Sequence, residues 1–395
     1  MHASGYGHNK IVEALIEKGA NINDKDNDSY TPLILSARYG HTKVVKLLLE
    51  KGVDVNDKDK NGWSALMTAS QKGHINVVKI LIEKGANVND KNNNGRTVLM
   101  KACGYGHNKI VEFLIEKGAN INDKDNDGYK ALMLASRHGH VEVVKLLLEK
   151  GADADEKDKN GWTALILSSQ YKHDETVKLL IKKGANVNNK NNNGRTALMK
   201  AAGYGCKEIV EVLIDKGANI NDKDNDNWTS LMLSSRYNHL EIVKILIERG
   251  ANINDKDKNG WTALMLASQN GHIEVAKLLI EKGANINDKD NYGWTALMLS
   301  SRYDRIEVVK ILIEKGANVN NKNNNCRTAL MKAAGYGCKK VVELLIERGA
   351  NINDKDKNGW TSLMISYKYK HVEIVKLLLE KGTSFNDKDI KLLMK

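Results

Sequence analysis

The chain has 395 residues and a formal net charge of +12, enough length for two or three globular domains and enough charge to raise nucleic acid as a partner. No stretch approaches the roughly eighteen apolar residues of a membrane span, and the opening MHASGYGHNK lacks a charged-then-apolar signal pattern. Four Cys without regular spacing suit a reducing compartment, cytoplasm or nucleus.

A 33-residue period governs the whole chain. Gly recurs at 19, 52, 85, 118, 151, 184, 217, 250, 283, 316, 349 and 382. A residue used that often is architecture before it is chemistry. Residues 1–23 read as an incomplete first repeat, because Tyr6 aligns with Tyr105 and Met1 then falls where Met100 stands. Eleven full repeats follow over 24–386, and 387–395 read as a shortened repeat or tail. An unshielded first repeat should fray, since terminal repeats need a polar outer face. The expectation is therefore a fragment of something longer.

Residues 255–287 serve as the reference repeat. DKDKNG is turn chemistry with Asn259-Gly260 as a hairpin-tip pair. Thr262 is placed to cap a short inner helix whose small residues, Ala267 and Ser268, let something pack close. Gly271 can end that helix in the left-handed conformation. From His272 a second helix carries Ile273, Val275, Ala276, Leu278, Leu279 and Ile280 as its apolar set, ended by Gly283. One such unit cannot bury its apolar side, but stacked copies can.

In Gly260, Thr262, Leu264, Ala267, Gly271 and His272 the repeat resembles the ankyrin repeat, and the resemblance covers essentially the whole chain. It implies an all-α solenoid: an ankyrin repeat stack of antiparallel helix pairs with β-hairpin or turn tips, in one elongated curved array. It also implies that tips and inner helices line a concave binding face. Departures from the pattern include Pro only at Pro32, and Met or Ile where the family has His after Leu. Lys130 stands at a cap position, and Lys172, Asn238, Asp304 and Lys370 stand where the inner helix should end in Gly. The two Lys are expected to be strained there, because Asn and Asp tolerate a left-handed backbone better.

Candidate contact residues are those that vary within this frame. The inner-helix position after Met and the position four later share a helix face and should look into the groove. The second of these supplies Tyr39, Tyr105, Tyr171, Tyr204, Tyr237, Tyr303, Tyr336 and Tyr369, and the first Lys101, Lys200 and Lys332 among mostly Leu. Exposed aromatics mark contact surfaces, although the Tyr could instead pack on the neighbouring inner helix. At the tips stand Trp63, Trp162, Trp228, Trp261, Trp294 and Trp360, replaced by Arg96, Arg195 and Arg327 in three variant repeats. These are hot-spot residue types. The alternative is a structural ladder, each ring lying on the Lys stem of the next tip. The variant repeats 90–122, 189–221 and 321–353 carry +2, +2 and +4, so they supply +8 of the net +12.

Positive charge grouped in this way suits an acidic or phosphorylated segment, whereas a nucleic-acid groove needs a continuous basic track. Cys103, Cys206 and Cys338 are too far apart in the stack to share a zinc ion. Cys326 and Cys338 sit at opposite ends of one inner helix, too far for a disulfide. The His at the second-helix start read as structural. No nucleophile–base pair or carboxylate pair occurs that is not a repeat position, and Gly104-Tyr105-Gly106 lacks the Gly-Lys-Ser/Thr of a phosphate loop. The sequence therefore reads as a monomeric, non-enzymatic interaction scaffold without cofactor or metal, binding another protein along its concave face. The other reading is a polyanion-binding module that takes nucleic acid or a phosphorylated segment through the Arg/Lys/Tyr repeats.

Overall fold

The computed structural model describes residues 1–383; the tail expected at 387–395 and the last residues of the final repeat lie outside them. Among the described residues 24 helices alternate short inner and outer members, and β structure is limited to two isolated bridges, Lys58 with Ser64 and Lys91 with Thr97. The chain divides into two compact units, 1–192 and 193–395. Within each, every inner helix packs on the next inner helix and on its own outer helix.

Local chemistry sets this pattern. The Thr262 hydroxyl accepts the Met265 N–H at 3.3 Å and so caps the inner helix Ala263–Asn270, which Gly271 ends at φ +80°. Capping of this kind is worth about 1 kcal/mol. Lys130 has the same extended backbone but makes no side-chain cap; its ammonium crosses to Glu156 of the next repeat at 2.7 Å. Every residue from Ala263 to Ser268 is buried, since small side chains let successive inner helices approach closely. The outer helix Ile273–Glu281 buries Val275, Ala276 and Leu279 and leaves its charged residues outside.

The tips are closed by a side-chain oxygen more than by strand pairing, from Asp in most repeats and from Asn92 or Asn323 in variant ones. Asp257 donates its N–H to the Trp261 carbonyl at 3.0 Å, and its Oδ1 accepts from the N–H groups of Asn259 and Trp261, both at 2.8 Å. Neighbouring tips are tied by Asn291, whose backbone and side-chain N–H groups donate to the Asn259 and Lys258 carbonyls. Between repeats, Asn254 accepts from the Asn285 N–H and donates to the Gly283 carbonyl.

Within each unit, residues opening the outer helices, from His41 to His173 and from His239 to His371, reach back 36 positions to a carbonyl of the previous inner helix. His140 meets the Gly104 carbonyl at 3.1 Å and His272 the Arg236 carbonyl at 2.9 Å. Arg305 and Cys338 do the same work at the Gln269 and Arg302 carbonyls. These His serve the stack. The imidazole lies against the left-handed Gly of the repeat before: a Cβ on Gly106 would come within 2.6 Å of the His140 ring. Lys172, Asn238, Asp304 and Lys370 nevertheless hold positive φ, between 54° and 64°. At Asp304 the facing residue is the smaller Cys338 in place of His. Ser29, Asn227 and Cys326 take positive φ at the tip-Gly position, a second set of departures of the same kind.

Candidate partner-binding face

The inner helices carry a one-sided charge. In the first unit they contribute Arg38, Lys72, Lys101 and Arg137, and in the second Lys200, Arg236, Arg302, Lys332 and Lys368. No Asp or Glu occurs in any inner helix of the described residues. Acidic residues lie in the outer helices, the tips and the loops, with Asp304 at the end of one inner helix. Cations in the last turn favour the helix C-terminus, which explains their place but not the absence of acids along the rest of the face.

Above these cations lies a row of rings. Tyr39, Tyr105, Tyr171, Tyr204, Tyr237, Tyr303, Tyr336 and Tyr369 are between 38% and 58% exposed. Arg137 lies over the Tyr171 ring at 5.2 Å, and Arg302 over Tyr303 at 5.3 Å and Tyr336 at 4.5 Å. A guanidinium stacked in this way holds a ring in place while leaving its other face to solvent. These arginines were not among the sequence candidates. Their signal was a repeat position that alternates Arg, Gln, Gly and Lys while its neighbours stay fixed.

The partner position on the same helix face behaves differently from expectation. Residues directly after Met do not look into an open groove. Leu134, Leu167, Leu233, Leu266 and Leu299 are buried, and so are Lys101, Lys200 and Lys332 at 8–9% exposure. The next inner helix and the tip rings cover them. The Lys101 ammonium lies 3.8 Å from the Trp63 ring centroid, and Lys332 is equally close to Trp294. Burial, with the neighbouring Arg96, Arg195 or Arg327 guanidinium adding to it, lowers all three lysines from 10.5 to about 8.

The tip Arg residues also need correcting as open charges. Arg96 Nε donates to Asp125 Oδ2 at 3.1 Å, Arg195 to Asp224 at 3.0 Å and Arg327 to Asp356 at 2.9 Å, each carboxylate buried in the following tip. Most of each Arg charge is therefore balanced locally. At three tips without such an Arg before them, burial raises the pKa of Asp158, Asp257 and Asp290, partly opposed by their backbone N–H donors.

All six Trp are half-buried, including Trp162 and Trp261. Several are covered by cations from inner helices: Arg236 over Trp228 at 5.3 Å, Arg302 over Trp294 at 5.5 Å and Lys368 over Trp360 at 4.8 Å. These covering groups come from inner helices, so the rings join tip to helix.

Two cavities open where an inner helix has Gly in place of Arg, Gln or Lys. One, of ≈ 340 Å³, collects Arg96, Lys101, Gly104 and Tyr105 with Leu134 and His138 of the next repeat. The other, of ≈ 480 Å³, collects Arg195, Lys200, Gly203 and Tyr204 with Leu233 and Tyr237. The sequence candidates named the cations and Tyr at these places but not the glycines that make the space.

Short helix pairs stacked at a fixed period, with capped inner helices and Asn-tied loops, define a repeat protein in which each unit leans on its neighbours. A family profile described as Ankyrin repeats (3 copies) matches residues 1–92, 52–125, 88–158, 122–191, 150–224, 188–257, 231–323 and 316–389. The chain belongs to the ankyrin repeat family. Ankyrin repeats are generally protein-interaction modules, and the proteins built from them are typically non-enzymatic scaffolds. No curated protein matches the chain. No helix among the described residues is long and apolar enough to cross a membrane.

Proposed function

We propose that the array binds an extended, acidic segment of another protein along the inner-helix face. The observation that carries this reading is the charge of that face: nine Lys or Arg on the inner helices of the described residues, six of them outside the buried set, and no Asp or Glu within those helices. The exposed Tyr row supplies apolar and hydrogen-bonding area between the cations, a composition common in interface cores. Because the tip Arg pair with Asp, attraction comes mainly from the helix cations and is moderate in density. That suits a protein chain with spaced acids better than the dense phosphates of nucleic acid. Cys103, Cys206, Cys326 and Cys338 form no disulfide among the described residues, which accords with a reducing compartment, the cytoplasm or nucleus.

The test replaces Arg38, Arg137, Arg236 and Arg302 by Gln, the residue already present at the equivalent positions 71, 170 and 269. A fluorescent Glu- and Asp-rich 15-residue peptide should bind the parent chain and lose about tenfold or more on the variant, each lost contact being worth about 0.5–1 kcal/mol. Single-stranded RNA of equal length is the competitor. Tighter binding of RNA than of peptide, with a steep salt slope, would sink the protein-segment reading in favour of a polyanion module.

A further inference from the structure

The two Gly-opened cavities are alike in composition and unlike the rest of the inner-helix face. Each has an apolar floor, Leu134 with Met100 or Leu233 with Met199, and an aromatic wall in Tyr105 or in Tyr204 and Tyr237. Each has two cations at its edge, Arg96 and Lys101 or Arg195 and Lys200, and the second adds Arg236. No carboxylate lines either one. A third opening near the tips, at Tyr30, Arg38 and Trp63, includes Asp59 and so does not share this chemistry.

We infer that each Gly-opened cavity receives one phosphotyrosine side chain of the bound segment. This rests on the reading of the inner-helix face as a docking surface for an acidic protein segment. A Glu or Asp side chain would satisfy the cations but leave the exposed Tyr wall, Tyr105 or Tyr204 with Tyr237, in water. An aromatic ring stacks on that wall above the Leu and Met floor. A phosphate on the ring carries about −1.5 to −2 charge and three acceptor oxygens, matching a guanidinium and an ammonium side by side. The Arg96–Asp125 bond uses Nε, one of five guanidinium donors, and holds the group in place for bidentate recognition by the others. Burial and the adjacent guanidinium hold Lys101 and Lys200 at about 8, so an incoming dianion relieves a cost that is otherwise present.

The third Arg/Lys/Tyr repeat marks the limit of the assignment. At Gly335 a Cβ would lie 2.9 Å from Ile365 Cγ2, whereas at Gly104 and Gly203 the nearest neighbour is a Leu Cβ at 3.9 and 3.6 Å. The β-branched Ile365 thus crowds the space that Leu134 and Leu233 leave open. The site is assigned to the first two repeats alone.

The experiment uses the full chain and one acidic peptide in four forms, with phosphotyrosine, tyrosine, phosphoserine or glutamate at the central position. The phosphotyrosine form should bind at least tenfold more tightly than the other three. Gly104→Gln with Gly203→Gln fills both cavities with the residue found at 71, 170 and 269, leaves the charge unchanged, and places its Cβ at ordinary contact distance. That variant should lose the phosphotyrosine preference and keep the weaker binding of the tyrosine and glutamate forms. Phosphoserine binding as tightly as phosphotyrosine, or an unchanged preference in the variant, overturns the inference. Failure of all four peptides to bind overturns the docking reading itself. If the variant does not fold, methyl shifts of Leu134 and Leu233 in the parent chain decide. Phenyl phosphate should move them and inorganic phosphate should not; equal responses refute the pocket.

Discussion

Lys332 offers a direct measure of what the tertiary structure does to a charge. Most repeats place Leu at its position, and Leu299, one repeat earlier, is 3% exposed. Burial first, then Arg327 and Arg302, lower the ammonium from 10.5 to about 8, with Asp356 opposing. At ~1.4 kcal/mol per pH unit this is about 3 kcal/mol of penalty for holding the charge at pH 7. Contact with the Trp294 ring returns about 0.5–2 kcal/mol. Lys332→Leu should therefore stabilise the second unit by about 1–3 kcal/mol at pH 7. The unfolded amine holds its proton to about 10.5 and the folded one to about 8. Below pH 8 both states are charged and the whole penalty is present. Between about 8 and 10.5 the unfolded chain binds more protons, so the parent gains stability as pH rises and the advantage of Leu shrinks. Burial raises the Cys103 and Cys338 thiols, which lowers stability above pH 9, equally in parent and variant, so it cancels from the comparison. Urea midpoints followed by Trp fluorescence at pH 7 and about pH 9.5 give the difference. A destabilising Lys332→Leu at pH 7, or an effect of the same size at both pH values, would refute the reasoning.

Lys172→Gly and Lys370→Gly should each raise stability by about 1 kcal/mol, because both lysines hold a left-handed backbone at φ 64° and 61°; thermal midpoints that fall would show the Lys side chains to be favourable in place. Thr262→Ala should cost about 1 kcal/mol through loss of the bond to the Met265 N–H, as read by urea denaturation. Alkylation at pH 8 should reach Cys326, which is partly exposed at a tip, well before Cys338, which is buried and whose thiol is pushed up to about 11. Peptide mapping of a time course checks the order.

Much of the fold was legible from one repeat. Thr262, Gly271 and Gly283 announced where helices begin and end through bonds and dihedrals local to a few residues. The His at the outer-helix start also read correctly as structural, since a residue used in nearly every repeat serves the stack. The candidate site was legible in residue type but not in state. Arg96 stood out as a cation replacing Trp, yet nothing within its repeat tells that Asp125, 29 residues on, takes its Nε. Lys101 stood out beside Leu, yet its burial depends on Trp63, 38 residues back. Gly104 stood out only in a Gly-Tyr-Gly run that lacks a phosphate loop's Lys, yet Leu134 of the next repeat bounds an open space beside it.

The sequence by itself determined the period, the two helices of each repeat and their caps, because these follow from neighbours within a few residues. The tertiary structure alone decided which charges stay open, which are paired and which are buried. Those outcomes arise between repeats, from side chains about one period apart whose distance and exposure no single repeat contains.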